Sequence, residues 1–141
     1  MTMARHFYNV LLLCCCLFMA ACVPNTGIRE EFQQSTKNFN KMLRWHEIEN
    51  AGMAYMEPQQ RDAFLKSAES VRRRGITITD YRILTTECLP DKGTGSVIAE
   101  FDYYILPSNR IKTLTYKQEW SYSEVDKNKS WRLKNGLPPF E

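Results

Sequence analysis

The sequence predicts an α+β domain in which two N-terminal helices pack on a curved, four-stranded antiparallel meander sheet. Apolar residues recur with helical spacing between residues 29 and 74, and with strand alternation from residue 76 onwards. Clusters of turn-forming residues separate the predicted strands. Because long strands with one aromatic-rich face need a cover, we expect the two amphipathic helices to supply it.

Both helices follow from apolar spacing and from residues that end helices. The first is expected over residues 29–50, and Gly52 is a natural stop. Its apolar face contains Phe32, Phe39, Met42, Leu43 and His46. Residues 51–57 are expected to form a connection. Pro58 suits the first turn of the second helix, because its missing N–H would be unpaired there, and Gly75 ends that helix.

The strands are predicted from alternation of apolar and polar residues. They are expected over residues 76–89, 96–106, 111–124 and 130–134. The alternation changes parity near Asp80, which indicates a bulge or bend there. A hairpin tip at Ser108 and Asn109 satisfies both faces of the second and third strands. That register pairs Phe101 with Tyr116, Tyr103 with Leu114, Val97 with Trp120 and Glu100 with Lys117.

The N-terminal segment predicts where the protein works. Basic Arg5 precedes an apolar run over residues 10–18 that is shorter than the roughly 20 residues a transmembrane helix needs. The sequence Met19-Ala20-Ala21-Cys22 resembles the lipobox of bacterial lipoprotein precursors. The resemblance implies a signal peptide over 1–21, a diacylglycerol on Cys22, a lipidated tether over 22–28 and one domain over 29–141. Ordinary cleavage before a free Cys22, or an uncleaved apolar anchor, are the alternatives.

This resemblance also implies a compartment. The expected location is the cell envelope, with the domain held at the membrane by its lipid. No aspartate follows Cys22, which implies the outer membrane, facing the periplasm, if the cell has two membranes. We therefore expect no nucleic-acid partner.

The composition and the cysteine count limit the kinds of metal, disulfide and binding site that the chain can form. The chain has 141 residues, a net charge of +3 and five cysteines. Cleavage and lipidation would leave Cys88 alone, which fits neither a disulfide scaffold nor a zinc site, and a small buried residue is the expectation. The basic run Arg72-Arg73-Arg74 is expected to be a solvated helix end, with a phospholipid-facing patch as the alternative. No cofactor or metal is expected.

The mature domain carries a second, broader resemblance over residues 30–136. The features are an early helix with Trp45, the helix opening Pro58-Gln59-Gln60-Arg61, and the closing Trp131-Arg132-Leu133. This arrangement resembles the nuclear transport factor 2-like superfamily, whose cone-shaped fold wraps a curved sheet around N-terminal helices. The sequence departs from that pattern in having two clear helices, and a cystatin-like or other small α+β domain is the alternative. Such a fold does not by itself define a function.

Few residues suggest chemistry, and no catalytic motif is present. His46, on the inward helix face, is a conceivable base or a satisfied core histidine; the other candidates are Asp80, Glu100 and Asp102. The aromatic residues suggest either core packing or the mouth of a pocket. The possible pocket comprises His46, Tyr103, Tyr116, Trp120 and Tyr122.

These observations predict a membrane-anchored, non-enzymatic binding or interaction module. It would dock on an envelope protein complex or pair with itself through a sheet face. A binder of an apolar or aromatic small molecule is the alternative, and a catalytic role comes third.

Overall fold

A computed structural model describes residues 25–141. The fold is α+β, with three helices and an open antiparallel sheet in the predicted order β1-β2-β3-β4. The helices are α1 (Thr26–Arg44), α2 (Ile48–Tyr55) and α3 (Arg61–Arg73), and the strands are β1 (Ile76–Leu89), β2 (Thr94–Ile105), β3 (Lys112–Val125) and β4 (Asn128–Leu133). In this part of the chain, no helix is long and apolar enough to span a bilayer.

The helical layer differs from the two predicted helices. The helix α1 begins at Thr26, within the predicted tether, and ends at Arg44. The chain then turns through His46, whose φ is 63°, and α2 occupies most of the predicted connection. Gly52 lies inside α2 rather than ending a helix. A glycine is needed at this position because the ring of Phe64 occupies the space that a Cβ atom would take. The packing of α2 against α3, rather than the local spacing of apolar residues, therefore explains why residues 48–55 are helical.

The strand β1 confirms the predicted irregularity and adds another. Its pairing with β2 shifts register between Ile78 and Asp80, as predicted from the change of parity. A second shift lies between Ile83 and Thr85, so Leu84 is an extra residue in β1.

The pairing of β2 with β3 shows that the predicted hairpin register is wrong. Phe101 lies opposite Leu114, not Tyr116, and Glu100 lies opposite Thr115, not Lys117. The other two predicted pairs are displaced in the same way: Tyr103 faces Lys112, and Val97 faces Gln118. The displacement is two residues, and side chains alternate with a period of two. Every residue therefore keeps its predicted face, and alternation alone is unable to distinguish the two registers.

The core is built from aromatic residues between α1 and the inner face of the sheet. Trp120 and Trp131 are almost fully buried, as are Phe32 and Phe39 of α1. The ring of Phe32 lies 4.6 Å from that of Trp131, and the ring of Phe39 lies 5.6 Å from that of Trp120. Cys88 is free and buried, as expected, and burial raises the pKa of its thiol.

Candidate interaction site

The predicted pocket residues Tyr103 and Tyr116 direct their hydroxyl groups at the C-terminal segment of the chain itself. The Tyr103 hydroxyl donates to the carbonyl oxygen of Glu141 at 2.6 Å. The Tyr116 hydroxyl donates to the carbonyl of Gly136 at 3.1 Å and accepts from Nδ2 of Asn135 at 2.9 Å. Burial raises the pKa of Tyr116. These hydroxyls already have partners within the chain.

The other two predicted aromatic residues are also engaged in packing. Trp120 is 1% exposed among Phe32, Phe39 and Tyr55. The Tyr122 hydroxyl donates to a carboxylate oxygen of Glu31 at 3.4 Å. Burial, followed by the negative charge of Glu31, raises the pKa of Tyr122. The four aromatic side chains thus belong to the packed layer between helices and sheet.

His46 does not lie on the inward face of a helix, and that expectation is wrong. It is exposed and follows the end of α1 in a left-handed conformation. It lines a shallow cavity of about 230 Å³ together with Glu49, Arg72 and Thr77. This cavity lies between α2, α3 and the start of β1, so the structure does not bring His46 together with the predicted tyrosines.

The acidic candidates lie on the outer face of the sheet, around one arginine. Arg82 forms ion pairs with Glu100 at 2.5 Å and with Asp102 at 3.2 Å. Lys117, the predicted partner of Glu100, instead lies 3.4 Å from Glu119. The pKa of Arg82 is raised, chiefly by its hydrogen bond to Glu100 and by the charge of Asp102. The single guanidinium of Arg82 offsets only part of the negative charge of the two carboxylates, so the cluster remains net acidic. The carboxylate of the fourth candidate, Asp80, accepts the neighbouring N–H of Tyr81 at 2.8 Å.

The basic run at the end of α3 is divided among different partners. Arg72 pairs with Glu49 at 3.0 Å in an exposed ion pair. Arg74 donates to the carbonyl oxygen of Phe140 at 2.9 Å, while Arg73 is exposed. Two of the three arginines therefore contact the protein itself.

The clearest candidate for a binding surface is the centre of β1, which we call the β1 edge segment (residues 82–87). β1 is an outer strand of the sheet, paired along one side only, with β2. All six residues of the segment are exposed. Ile83 and Leu84 are 37% and 50% exposed, and Leu84 is the extra residue of the second bulge. A row of backbone N–H and C=O groups on the open side of such a strand is a template for another strand.

A groove adjoins the β1 edge segment on the outer face of the sheet. It has a volume of about 210 Å³ and begins at Glu87. Its other lining residues are Leu89, Thr94, Gly95, Ser96, Glu119, Trp120 and Lys134. The edge segment and the groove form one continuous surface through Glu87.

Sequence reasoning placed β1 correctly but missed that its centre is uncovered. The available signal was the adjacent apolar pair Ile83 and Leu84, which breaks the alternation expected of a half-buried strand. Cys22, the predicted lipidation site, lies outside the described residues.

Comparisons with known proteins find structures of similar fold but no matching family. No family model matches the sequence, and the comparison with curated proteins finds no match. A SEC-C motif containing protein from Rhodopseudomonas palustris is similar in structure, with a TM-score of 0.52, 10% identity and 70% of each chain covered. One from Psychrobacter arcticus has a TM-score of 0.54 and 11% identity, over 77% of this chain and 61% of that chain. At these identities the likeness concerns the fold alone.

Proposed function

We propose that this protein is a bacterial lipoprotein whose extracytoplasmic domain is a non-enzymatic interaction module. It is anchored through Cys22 and binds a protein partner by adding a strand to the β1 edge segment. The exposure of all six residues of that segment is the observation that carries the proposal. The same proposal includes the shape of the domain: its sheet curves around the helices as a cone, as in the nuclear transport factor 2-like superfamily.

Strand addition suits the chemistry of the β1 edge segment. In this binding mode the main chain supplies affinity and pockets for alternate side chains supply specificity. Ile83 and Leu84 offer apolar contacts, and the groove that begins at Glu87 offers space for a partner side chain. The partner is an envelope protein with a free strand or a second copy of this chain.

The position of α1 supports a domain held close to the bilayer. Three residues separate Cys22 from Thr26, the first residue of α1. Four peptide steps span at most about 14 Å when fully extended. Asn25 is tied to the turn between β1 and β2, because its Nδ2 donates to Asp91 at 2.6 Å. A lipid on Cys22 would therefore hold this end of the domain near the headgroups.

The small-molecule alternative has less support. The hydroxyls of Tyr103, Tyr116 and Tyr122 already bond to groups of the chain. A ligand would have to displace those partners.

The test of the docking surface compares two substitutions at aliphatic residues of similar exposure. Leu84→Lys introduces a charge at the β1 edge segment, and Ile111→Lys introduces the same charge in the connection between β2 and β3, where Ile111 is 53% exposed. Full-length protein is extracted gently from its host membranes and analysed by native mass spectrometry. We expect the wild type and Ile111→Lys to retain a complex that Leu84→Lys loses. Equal assembly in both variants would exclude this surface.

The test of the anchor is separate. Cys22→Ser should abolish lipid labelling and release the domain from membranes, with Cys88→Ser as the matched control that retains both properties. Membrane retention of Cys22→Ser would contradict lipidation and leave the docking test unaffected.

A further inference from the structure

The C-terminal segment over residues 136–141 occupies a built slot although it contains no helix or strand. Phe140 is 2% exposed. Its ring packs edge-on against Tyr103 at 5.0 Å and Phe101 at 5.8 Å between ring centroids. The slot therefore accepts one aromatic side chain on the inner face of β2.

Three side chains clamp the backbone beside that ring. Arg74 donates to the carbonyl oxygen of Phe140 at 2.9 Å. The Tyr103 hydroxyl and Nζ of Lys112 both donate to the carbonyl oxygen of Glu141, at 2.6 and 2.7 Å. The N–H of Glu141 donates back to the Tyr103 hydroxyl at 3.2 Å. Apart from the aromatic ring, these contacts involve main-chain groups of residues 140 and 141, next to a tight turn in which the N–H of Phe140 donates to the carbonyl of Pro138 at 2.9 Å.

The segment is joined to the rest of the domain through Asn135 and Gly136. Asn135 is fixed on β3, because its Nδ2 donates to the carbonyl of Lys117 at 2.7 Å and its Oδ1 accepts the N–H of Glu119 at 2.8 Å. Gly136 follows in open space, with no atom within 4 Å of the position of a Cβ. Gly136 itself is held through its carbonyl, which accepts from the Tyr116 hydroxyl at 3.1 Å. We call residues 136–141 the strap; it has a glycine at its base.

We propose that this slot is a peptide-binding site for the segment over residues 136–141, with its aromatic side chain, and that the strap exchanges with the same segment of a second copy. The identical segment brings identical contacts, so exchange needs no new recognition chemistry. In a single copy the attached strap competes at a high effective concentration and keeps the slot filled. Crowding of anchored copies on a membrane raises the concentration of the competing strap.

The first test uses the full chain with Phe140→Ala, which empties the aromatic part of the slot. A synthetic peptide of residues 135–141 should raise the melting temperature of this variant in a saturable manner. The same peptide with alanine at the position of Phe140 should have no effect. Wild-type protein should require a peptide concentration higher by at least about tenfold, because its own strap competes.

Failure of the variant to fold does not remove the test. If Phe140→Ala alone is unfolded, the peptide should restore the folded state during refolding, and the alanine peptide should not. Absence of both stabilisation and rescue by millimolar peptide would overturn the site.

The second test addresses exchange between copies. Deletion of Gly136 shortens the strap, and strained short connections favour domain swapping. We expect the full chain lacking Gly136 to form a dimer that an excess of the 135–141 peptide dissociates. The control is Gly136→Ala, which keeps the length of the strap and should remain monomeric. If the β1 edge segment also pairs copies, Leu84→Lys is included in both variants to remove that contact. A folded, monomeric deletion variant would overturn exchange.

Discussion

Asn40 and Gln118 form a reciprocal pair of side-chain amide hydrogen bonds between α1 and β3. Nδ2 of Asn40 donates to Oε1 of Gln118 at 3.1 Å, and Nε2 of Gln118 donates to Oδ1 of Asn40 at 2.7 Å. Both residues are completely buried. Asn40 also donates to the carbonyl of Thr36. Because a buried amide without partners is costly, this pair fixes the position of α1 along the inner face of the sheet.

Breaking the pair should destabilise the fold more than removing it. Asn40→Leu leaves the Gln118 amide buried without its partner, at a cost of about 1–3 kcal/mol, and Gln118→Leu does the same to Asn40. The double leucine variant should be less destabilised than the sum of the two, since no amide remains unpaired. Urea unfolding of the four proteins measures this coupling. Additive free energies would show that the two amides do not interact.

Gly95 allows the sheet to approach α1, and a methyl group there should be destabilising. A Cβ at this position would lie 2.5 Å from the ring of Phe32. Phe32 is fully buried and packs on Trp131, so the ring has little freedom to move. Gly95→Ala should lower the free energy of unfolding by about 1–3 kcal/mol.

The matched control for that substitution is Gly27→Ala in α1. No atom lies within 4 Å of its Cβ position. Alanine there should stabilise the protein by about 0.5–1 kcal/mol through helix propensity. Thermal and urea unfolding should therefore give opposite signs for the two variants. Tolerance of Gly95→Ala would contradict the close contact between Phe32 and β2.

Stability should fall at alkaline pH, in part through Tyr116. Its folded-state pKa is raised by burial above the ordinary value of 10.0, so the folded state retains a proton that the unfolded state loses first. The contribution is present below pH 10 and is lost as pH rises towards the folded-state pKa. Tyr116→Phe should show a smaller decrease of the urea midpoint between pH 9 and pH 11 than wild type, both pH values being about one unit from the ordinary pKa.

Tyr104→Phe serves as the control for the alkaline experiment. The Tyr104 hydroxyl makes no hydrogen bond within residues 25–141, in contrast to that of Tyr116. Its substitution therefore controls for the loss of a tyrosine hydroxyl as such. An identical slope for Tyr116→Phe and wild type would show that this hydroxyl is not linked to folding.

Local patterns in the sequence were enough to predict the α+β class, the order of the strands and the inner faces of β2 and β3. These features are local, because a period of two or of 3.6 residues is visible within one segment. The bulge near Asp80 was predictable for the same reason, since the parity of the alternation changes there. The buried, free Cys88 also followed from the sequence.

The candidate sites were predicted less well, because they depend on contacts between distant segments. Tyr103 was identified as a pocket residue, but Phe140, the strap residue that packs on it, lies beyond the last predicted strand, which ends at residue 134. Leu84 is 50% exposed and is the extra residue of the second bulge, which depends on the pairing of β1 with β2. The contact of Phe140 leaves no periodic signal in the sequence, and the exposure of Leu84 leaves only the broken alternation at Ile83 and Leu84.

Three features depend on tertiary contacts instead: the register of β2 with β3, the helix α2 and the exposed position of His46. A register displaced by two residues keeps all faces unchanged, so it is settled by the connection over residues 106–111 and by the fit of Gly95 to Phe32. Residues 48–55 form a helix that buries Ile48, Ala51 and Gly52, with the ring of Phe64 packed on Gly52. Local sequence fixes the conformational preference of each segment, whereas the free energy of burying segments against one another selects among the arrangements that those preferences allow.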